Sequence, residues 1–242
     1  MFTGFTPQAW KFFSDLKRNN RKPWYVREKP RFEKHVVAPA TELVTALNAA
    51  RGFSKLGLHF NRPEKALFRM HRDLRFSHDK SPYKTYNGFS MSRSGEKKDQ
   101  GTFYLHLDPD EFFAGVGFYQ LEGPLLLRFR NWLASDPRAK TLLTKLKRAK
   151  LELMEQDRLV RPPRGFENVT DPLLADALKN RHFFFLLPLS SKDLAGKALV
   201  AKLDRFVLQC EPFMRAGWKL LDEWRAEGGD ADYQAARGKA TE

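Results

Sequence analysis

The first fifty residues carry apolar side chains at the three- to four-residue spacing of helices that pack on one side. We predict a first helix that is capped by Thr6, opens at Pro7 and ends at Asn19 and Asn20. Its apolar positions are Trp10, Phe13 and Leu16. The chain is therefore expected to begin with one amphipathic helix.

A second helical region covers residues 24 to 50, with its apolar positions on one face. Those positions are Phe32, Val36, Leu43, Val44 and Leu47. Proline lacks a backbone N–H and clashes with the preceding turn, so Pro30 and Pro39 are expected to break or bend this helix. Arg51 and Gly52 are expected to mark its end.

From Lys65 to Phe118 the spacing of the apolar residues changes to alternation, which is the period of a strand that is buried on one face. The alternating positions are Phe68, Met70, Phe89, Met91, Phe103, Leu105, Leu107, Phe112, Ala114 and Val116. This pattern predicts an antiparallel sheet.

Helix-start signals recur in the second half of the chain, at Pro124, at Asp136 with Pro137, and at Asp171 with Pro172. Residues 182–189 predict a buried strand, and residues 197–226 predict a long helix with a kink at Pro212. The elements together predict an α+β fold, a single antiparallel β-sheet packed by N-terminal and C-terminal helices. We expect one globular domain over residues 1–226 and a disordered tail over residues 227–242.

The charge of the chain adds a preference for anionic partners. Lysine and arginine number 43 against 29 aspartates and glutamates, a net charge of +14, and 42% of the 242 residues are apolar, enough for a sizeable core. Residues 1–85 hold 18 of these cations against 7 carboxylates, so they contribute +11 of that charge. Solubility alone is the alternative explanation for the excess.

The single cysteine and the absence of a long apolar run bear on disulfides, zinc sites and cellular location. Cys210 lies between apolar residues and reads as core, so no internal disulfide or cysteine-rich zinc site is expected. No apolar run approaches the roughly 20 residues of a membrane helix, and residues 1–10 lack the regions of a signal peptide. We therefore expect a cytoplasmic protein with no membrane partner, while the oligomeric state stays open.

The densest charge lies between residues 68 and 84, which we call the signature segment. Its five cations are Arg69, Arg72, Arg75, Lys80 and Lys84, and its two carboxylates are Asp73 and Asp79. If residues 68–76 are extended, alternation places Arg69, His71, Asp73 and Arg75 on one face of the strand. A carboxylate between two guanidiniums holds them in fixed positions, which suits the binding of an oxyanion.

The rest of the segment is predicted to be a constrained loop, because Asp79 suits an Asx turn and Pro82 restricts the residue before it. We interpret Arg69, Arg72, Arg75, Lys80, Tyr83 and Lys84 as candidate ligand-binding residues. Asp73 and Asp79 are interpreted as the residues that orient these cations. The alternative is a solvated strand face with a salt-bridged turn, but two carboxylates neutralise only two of five cations.

A tight turn at Pro109 and Asp110 would place three pairs of residues opposite one another. These pairs are His106 with Phe113, Tyr104 with Gly115, and Thr102 with Gly117. Glycines opposite larger side chains leave a hollow where a ligand or another backbone can approach, and an ordinary bend is the alternative. Imidazole titrates near neutral pH, so His106 is a candidate general acid or base, against a purely structural strand histidine.

The sequence lacks the residue patterns of several established kinds of site. Gly115, Val116 and Gly117 do not complete a dinucleotide fingerprint, and no P-loop, metalloprotease histidine pair or nucleophile elbow is present. We expect no cofactor and no dedicated metal site. A basic run in residues 140–150 favours nonspecific nucleic-acid binding as an alternative function, although such a run usually forms a solvated helix face. Its cations are Lys140, Lys145, Lys147, Arg148 and Lys150.

The signature segment also resembles the hallmark of a widespread domain family of bacteria and fungi whose function is unassigned. The matching residues are Arg69, Asp73, Arg75, Phe76, Ser77, Asp79, Lys80, Ser81, Pro82, Tyr83 and Lys84. The resemblance extends over nearly all the chain, through Asn19, Asn20, Trp24, the Tyr104–Gly117 hairpin with His106, and Arg161, Pro162, Pro163, Gly165 and Phe166. His71 and His78 stand where the family tends to carry an aromatic residue and a lysine. The resemblance implies family membership and no particular activity.

These observations lead to one main functional hypothesis. The protein is expected to bind a phosphate- or carboxylate-bearing small molecule at a basic cleft lined by the cations of the signature segment. Hydrolysis or transfer on a phosphorylated substrate is the enzymatic form of the hypothesis, with His106 or Asp73 moving a proton. The alternatives are nonspecific nucleic-acid binding and a structural or partner-binding protein without catalysis.

Overall fold

A computed structural model describes residues 1–75 and 78–229 of the protein. The described helices are α1 (Pro7–Arg18), α2 (Lys22–Phe32), α3 (Ala38–Asn48), α4 (Arg51–Leu56), α5 (Gly123–Ser135), α6 (Pro137–Arg148), α7 (Pro172–Leu178), α8 (Ser191–Leu194) and α9 (Ala198–Ala226). The described strands are β1 (Asn87–Met91), β2 (Thr102–Leu107), β3 (Phe112–Phe118), β4 (Glu152–Leu153) and β5 (Phe183–Leu189). The strands form one antiparallel sheet in the order β1-β2-β3-β5-β4, so the α+β prediction is confirmed.

The N-terminal helices follow the sequence pattern, with one correction at the prolines. Helix α1 begins at Pro7 as predicted, and Asn19 caps its end. Pro30 lies inside α2, and a π-helical turn at Glu33–Val37 leads directly into α3, so of the predicted break or bend no break occurs there. Pro39 lies in the first turn of α3, where its missing N–H costs no intrahelical hydrogen bond. The helical run is therefore continuous and is distorted at the π-helical turn.

Gly52 was expected to end a helix, and the structure shows that it lies in the first turn of α4. Its backbone N–H donates to the Oδ1 atom of Asp204 at 2.6 Å. A Cβ atom at this position would lie 2.8 Å from the backbone oxygen of Asp204. The glycine is therefore required for the close approach of α9 to the start of α4, and not as a helix stop.

The predicted strand pattern is confirmed for β1, β2 and β3 and is wrong for residues 68–75. Strands β1 and β2 pair so that Gly88 lies opposite His106. The segment before them makes an isolated bridge between His71 and Tyr83, with hydrogen bonds on both sides of it. The carboxylates of Asp73 and Asp79 each accept the backbone N–H two residues further on and so form Asx turns. Such turns compete with the hydrogen bonds of a strand ladder. Phe76 and Ser77 lie outside the described residues.

The elements predicted for the second half of the chain are confirmed as α5, α6, α7, β5 and α9. Asp136 and Asp171 accept N-terminal backbone N–H groups of α6 and α7, as their cap positions predict. Helix α9 continues through Pro212, and Cys210 in it is fully buried, as predicted. None of the described helices has the length and apolarity that a membrane crossing requires.

The chain divides into two compact units. The first comprises Met1–Gly115 and Leu187–Leu208, and the second comprises Val116–Leu186 and the described chain from Gln209 onward. A single domain over residues 1–226 stays a prediction. Of the expected disordered tail, residues 230–242 lie outside the described part of the chain.

Candidate anion-binding site

Tyr83 anchors the signature segment in the core of the first unit. The side-chain amide of Asn20 donates to the backbone oxygen of Tyr83 at 2.8 Å and accepts the backbone N–H of Tyr83 at 3.1 Å. The ring of Tyr83 is 3% exposed and stacks on Tyr25 at 4.1 Å between centroids. Burial is the main cause that raises the pKa of Tyr25 to about 12. The predicted ligand-binding role of Tyr83 does not fit this burial, so we assign its side chain to positioning the segment.

Asp73 forms a hydrogen-bonded ion pair with Arg75. The carboxylate accepts two hydrogen bonds from the guanidinium, at 3.1 Å and 2.8 Å, and a third from the backbone N–H of Arg75 at 3.2 Å. These bonds lower the pKa of Asp73 to about 2, with the side chain of Arg75 as the largest cause. A carboxyl group with this pKa stays ionised near neutral pH. The geometry therefore favours the orienting role of Asp73 over its predicted role in proton transfer.

Asp79 holds a second pair in the segment. It accepts the backbone N–H of Ser81 at 2.8 Å, as expected for an Asx turn, and forms an ion pair with Arg72. Hydrogen bonds from the side chain and backbone of Ser81, followed by that from Arg72, lower the pKa of Asp79 to about 2. The ammonium of Lys80 donates to the backbone oxygen of Leu74 at 3.2 Å. Arg72 and Arg75 are thus the two cations matched by carboxylates of their own segment.

Arg69 and Lys84 differ from the other cations of the segment. In the described ranges, neither side chain has a carboxylate within 4 Å. Lys80 shares this property, but its ammonium is held by the backbone oxygen of Leu74. Lys84 is half-buried, and its pKa is lowered by burial and then by the positive charge of Arg69. The charge of Arg69 also helps to lower the pKa of Asp73, but that carboxylate is already hydrogen-bonded to Arg75. Arg69 and Lys84 therefore form a local surplus of positive charge. A bound anion would remove that repulsion.

His106 lies among aromatic side chains on the face of the sheet opposite the core. The hydroxyl of Tyr104 is 2.8 Å from Nδ1 of His106. The imidazole stacks on Phe113 with centroids 4.7 Å apart, which fits the pairing expected for the β2–β3 hairpin, and the ring of Tyr86 lies at 4.9 Å. Phe68 contacts the ring of Tyr104 at 6.2 Å. We call these five residues the aromatic cluster.

The environment of His106 keeps the imidazole neutral near pH 7. Burial lowers its pKa, and the carboxylates of Asp108 and Glu111 oppose this shift with smaller effects. The hydroxyl of Tyr104 can donate a hydrogen bond to Nδ1 or accept one from it, because a phenol does both. The pair is therefore able to take up and release a proton without losing its hydrogen bond.

The glycines of the sheet are used for close approach. A Cβ atom at Gly88 would lie 2.8 Å from the hydroxyl oxygen of Tyr104 and 2.4 Å from the backbone oxygen of Leu105. At Gly117 a Cβ atom would lie 2.1 Å from the backbone oxygen of Phe183. The sequence left open whether a ligand or another backbone would approach Gly117, and the structure shows that it is another backbone. At Gly88 the missing side chain leaves room for the Tyr104 hydroxyl beside His106.

Lys97 is a candidate residue that sequence reasoning missed. Its ammonium donates to the backbone oxygen of Leu67 at 2.6 Å and lies 5.5 Å from the ring of Phe68 and 5.6 Å from that of Phe60. Its pKa is lowered by burial first and by the charge of Arg62 second. The sequence offers no signal for this position, because Lys97 follows a glycine and a glutamate in a polar loop. Tertiary folding brings it to the aromatic cluster.

The cations with no carboxylate beside them are connected in sequence to the aromatic cluster. Arg69 directly follows Phe68, and Lys84 precedes Tyr86 by two residues. The arrangement offers positive charge next to half-buried aromatic faces, which suits an anionic molecule with a planar body. In residues 1–75 and 78–229, no three His, Cys, Asp or Glu side chains are grouped so as to hold a metal ion.

The basic run of residues 140–150 lies on α6 and the turn after it. Lys140 forms an ion pair with Asp171 at 2.6 Å, which leaves this lysine engaged at the start of α7. Lys145, Lys147, Arg148 and Lys150 are exposed. This is the pattern of a solvated helix face, and it is equally compatible with weak contacts to phosphates.

The comparisons with known proteins address the family and not the activity. Neither the search of curated proteins nor the search of solved structures found a match. A family model described as a conserved hypothetical protein (DUF2461) matches residues 8–215. This range includes the signature segment, the aromatic cluster and most of both compact units. The chain therefore belongs to the DUF2461 family of conserved hypothetical proteins, as the resemblance of its signature segment implied.

Proposed function

We propose that the protein binds a small molecule that carries a phosphate or carboxylate group. The anionic group is received by Arg69 and Lys84, and the body of the molecule lies against the aromatic cluster. Lys97 supplies a further positive charge beside Phe68. This proposal narrows the sequence-based hypothesis, because Arg72 and Arg75 hold the loop through their ion pairs.

The observation that carries the proposal is the half-buried ammonium of Lys84. Burial of a cation is unfavourable unless an opposite charge compensates for it. In the described ranges no carboxylate pairs with Lys84, and the charge that acts on its pKa is the like charge of Arg69. A surface loop that served only solubility would leave Lys84 as exposed to solvent as Arg69 is. The anion expected between them explains why the segment tolerates this repulsion.

The rigidity of the segment supports the same function. Asn20 clamps the backbone of Tyr83 next to Lys84, and stacking on Tyr25 fixes the ring of Tyr83. The backbone N–H of Lys84 also donates to the oxygen of Met70 at 2.8 Å. A cation on a fixed backbone loses less conformational entropy on binding than one on a mobile loop. Asn20 thus acts in positioning and not in ligand contact.

The binding test uses the full-length protein and isothermal titration with inorganic phosphate, phenyl phosphate and benzoate. We expect phenyl phosphate to bind more tightly than inorganic phosphate, because its ring can stack on the aromatic cluster. Arg69→Gln and Lys84→Gln are each expected to weaken phenyl phosphate binding about tenfold, which corresponds to about 1.4 kcal/mol. Arg138→Gln and Lys219→Gln make the same charge change at exposed positions of the second unit and are expected to bind as the wild type.

The result that contradicts the proposal is equal weakening by all four substitutions, because that would reflect net charge alone. A lack of measurable binding of all three anions at millimolar concentration would also end it. Arg75→Ala sharpens the distinction between a structural and a functional segment. If the segment were only structural, Arg75→Ala, Arg69→Gln and Lys84→Gln would change the midpoint of unfolding and nothing else.

Acid–base chemistry at His106 is the enzymatic extension of this proposal, and the Tyr104–His106 pair favours it. Hydrolysis of phenyl phosphate would require a group that moves a proton near the bound phosphate. If the protein is an enzyme of this kind, His106→Gln should abolish phosphate release while phenyl phosphate binding is retained. The activity should follow a single ionisation below pH 6.5, because burial lowers the pKa of His106. Unchanged turnover in the variant would exclude His106 from the chemistry.

Nonspecific nucleic-acid binding is separated from this proposal by its dependence on salt. Each phosphate contact makes the affinity fall further as the salt concentration rises, so contacts by the exposed cations of α6 would give a steep dependence. The double substitution Lys145→Gln and Arg148→Gln would then weaken binding of a single-stranded oligonucleotide. Under our proposal it leaves phenyl phosphate binding unchanged.

A further inference from the structure

The second unit contains a pocket of about 160 Å³ that the proposed anion site does not include. It is lined by residues of α6, β4, α7 and β5 and of the chain that connects them. The apolar part of its wall consists of Leu143, Leu151, Leu153, Leu173, Ala177 and Phe185. A cavity of about 150 Å³ with walls of this kind accepts a molecule the size of benzene. The pocket therefore has room for one small ring.

The charged groups at the pocket give it a character opposite to that of the whole chain. Its lining contains the carboxylates of Glu152, Glu155 and Asp176 and the cations of Lys147 and Arg158, a balance of minus one. The full chain has a net charge of +14. An anion is therefore not the favoured occupant, whereas a cation or a neutral hydrogen-bond donor is.

Arg158 does not offer its charge to an occupant. Its guanidinium donates to Glu155 at 2.7 Å, to the backbone oxygen of Asp176 at 3.2 Å and to the carboxylate of Asp176. The arginine thus links two carboxylates and fixes one wall of the pocket. Glu152 differs, because this exposed carboxylate forms no ion pair with any side chain of the described ranges.

Asn180 supplies the observation that points to a ligand. Its side chain is 3% exposed and belongs to the pocket wall, yet its Oδ1 atom accepts no hydrogen bond from the described protein. Its backbone is fully used, because the N–H donates to Ala177 and the carbonyl accepts from Arg130. Buried acceptors of this kind are normally satisfied. A molecule that brings an N–H or O–H group to this wall would supply the missing hydrogen bond.

We propose that this pocket binds a small amine with an apolar body, such as a protonated arylalkylamine. The ring occupies the space between the leucines and Phe185, and the ammonium group donates to Asn180 while Glu152 supplies the opposite charge. Neutral alcohols of the same size bind more weakly, because they bring one donor and no charge. Carboxylates are disfavoured by the acidic balance of the lining.

The test is an amide NMR titration of the full-length protein at neutral pH with benzylamine, benzyl alcohol and benzoate. These probes share one ring and differ in the group attached to it. We expect benzylamine to shift the amide signals of Leu151, Leu153 and Phe185 and to bind at least tenfold more tightly than benzoate. Equal or tighter binding of benzoate, or shifts confined to other parts of the chain, would overturn the proposal.

Two substitutions locate the interaction. Asn180→Leu keeps the size of the side chain and removes the unpaired acceptor, so the fold is expected to be as stable as the wild type and benzylamine binding about tenfold weaker. Asn168→Leu is the matched control at an exposed position of the same unit. Glu152→Gln changes only the exposed rim, and we expect it to weaken benzylamine about threefold and to leave benzyl alcohol unaffected. Wild-type benzylamine affinity in both Asn180→Leu and Glu152→Gln would refute the proposed site.

Discussion

His106 and His182 are two histidines that stack on aromatic rings and make different hydrogen bonds. His106 stacks on Phe113 at 4.7 Å, and His182 stacks on Tyr119 at 4.5 Å, both within about 16° of parallel. Burial is the main cause that lowers the pKa of each imidazole. Each ring thus lies against an aromatic face, but His182 is almost fully buried and His106 is half-buried, and their Nδ1 atoms have different partners.

The partner of Nδ1 decides what each imidazole can do. At His182, Nδ1 accepts the backbone N–H of Gln120 at 2.9 Å, and an amide N–H can only donate. This fixes the neutral tautomer with its proton on Nε2, an atom that is buried and lies 3.7 Å from a carboxylate oxygen of Asp157. At His106, the hydroxyl of Tyr104 can reverse its role. The comparison shows that burial alone does not make a histidine a proton carrier. The hydrogen-bond partner of Nδ1 must be able to accept as well as donate, so that it can still bind the ring when Nδ1 is protonated.

The largest effect that would sharpen this comparison is expected at His182. His182→Ala leaves the N–H of Gln120 without an acceptor and removes a fully packed ring, which should lower the free energy of unfolding by about 3 kcal/mol. His106→Ala affects a half-buried ring and should cost about 1 kcal/mol. Urea unfolding of both variants checks the order. His182→Asn is the control, because its amide oxygen can accept in place of Nδ1, and an unchanged stability of His182→Ala would contradict the structural role.

Removal of the adaptable partner should have the next largest effect. Tyr104→Phe leaves Nδ1 of His106 without its hydroxyl and should cost about 1 kcal/mol of unfolding free energy. It should also change the tautomer populations of His106, which nitrogen NMR of the imidazole detects. Tyr119→Phe removes a hydroxyl that is not part of the His182 hydrogen bond, and we expect the His182 tautomer to stay as in the wild type. If Tyr104→Phe left the His106 tautomer unchanged, the hydroxyl would not control this ring.

The pH dependence distinguishes the rings with a smaller effect on stability. A lowered histidine pKa means that the unfolded chain binds more protons below pH 6.5, so stability is complete above this pH and falls as the pH decreases toward the folded pKa. We expect both imidazoles to be neutral at pH 7 and His106 to take up a proton at a higher pH than His182. Protonation of His182 would place a second hydrogen against the N–H of Gln120. Histidine NMR signals followed from pH 8 to pH 5 measure this order, and the reverse order would refute our explanation.

The smallest effect is expected at Asp157. Its side chain is 61% exposed and lies 3.7 Å from Nε2 of His182, which is too long for a direct hydrogen bond. Asp157→Asn should therefore change the unfolding free energy by less than about 0.5 kcal/mol. It should lower the pKa of His182 slightly, because the carboxylate favours the protonated imidazole. A large loss of stability in this variant would show that the carboxylate is a true partner of His182.

Local signals in the sequence were sufficient for much of the fold. Pro7 marks the start of α1, where Thr6 occupies the cap position without the expected side-chain hydrogen bond to the helix. The aspartates before Pro137 and Pro172 do cap α6 and α7 through their own side chains. These signals work because a cap is satisfied within a few residues. The strand assignment of residues 68–75 failed for a related reason. The alternation of apolar residues predicted a strand. It did not show that the carboxylates of Asp73 and Asp79 would accept backbone N–H groups and form turns.

The candidate site shows where sequence reasoning stops. It identified the signature segment and His106, because charge density and residue type are visible in the chain. It could not tell that Arg75 would be matched by Asp73 while Lys84 would be half-buried beside Arg69, since pairing depends on side-chain positions. Lys97 lies thirteen residues after the segment in a polar loop and became a candidate only through its contact with Phe68.

By itself the sequence determined the α+β class, most element boundaries, the excess of positive charge and the segment where that charge is densest. Periodicity, caps and turn residues act over a few positions, so they can be read from the chain. The tertiary structure decided which cations keep their charge uncompensated, which histidine has an adaptable partner, and that Asn180 lacks a donor for its buried oxygen. These properties depend on distances between residues that are far apart in sequence, and desolvation makes each of them significant.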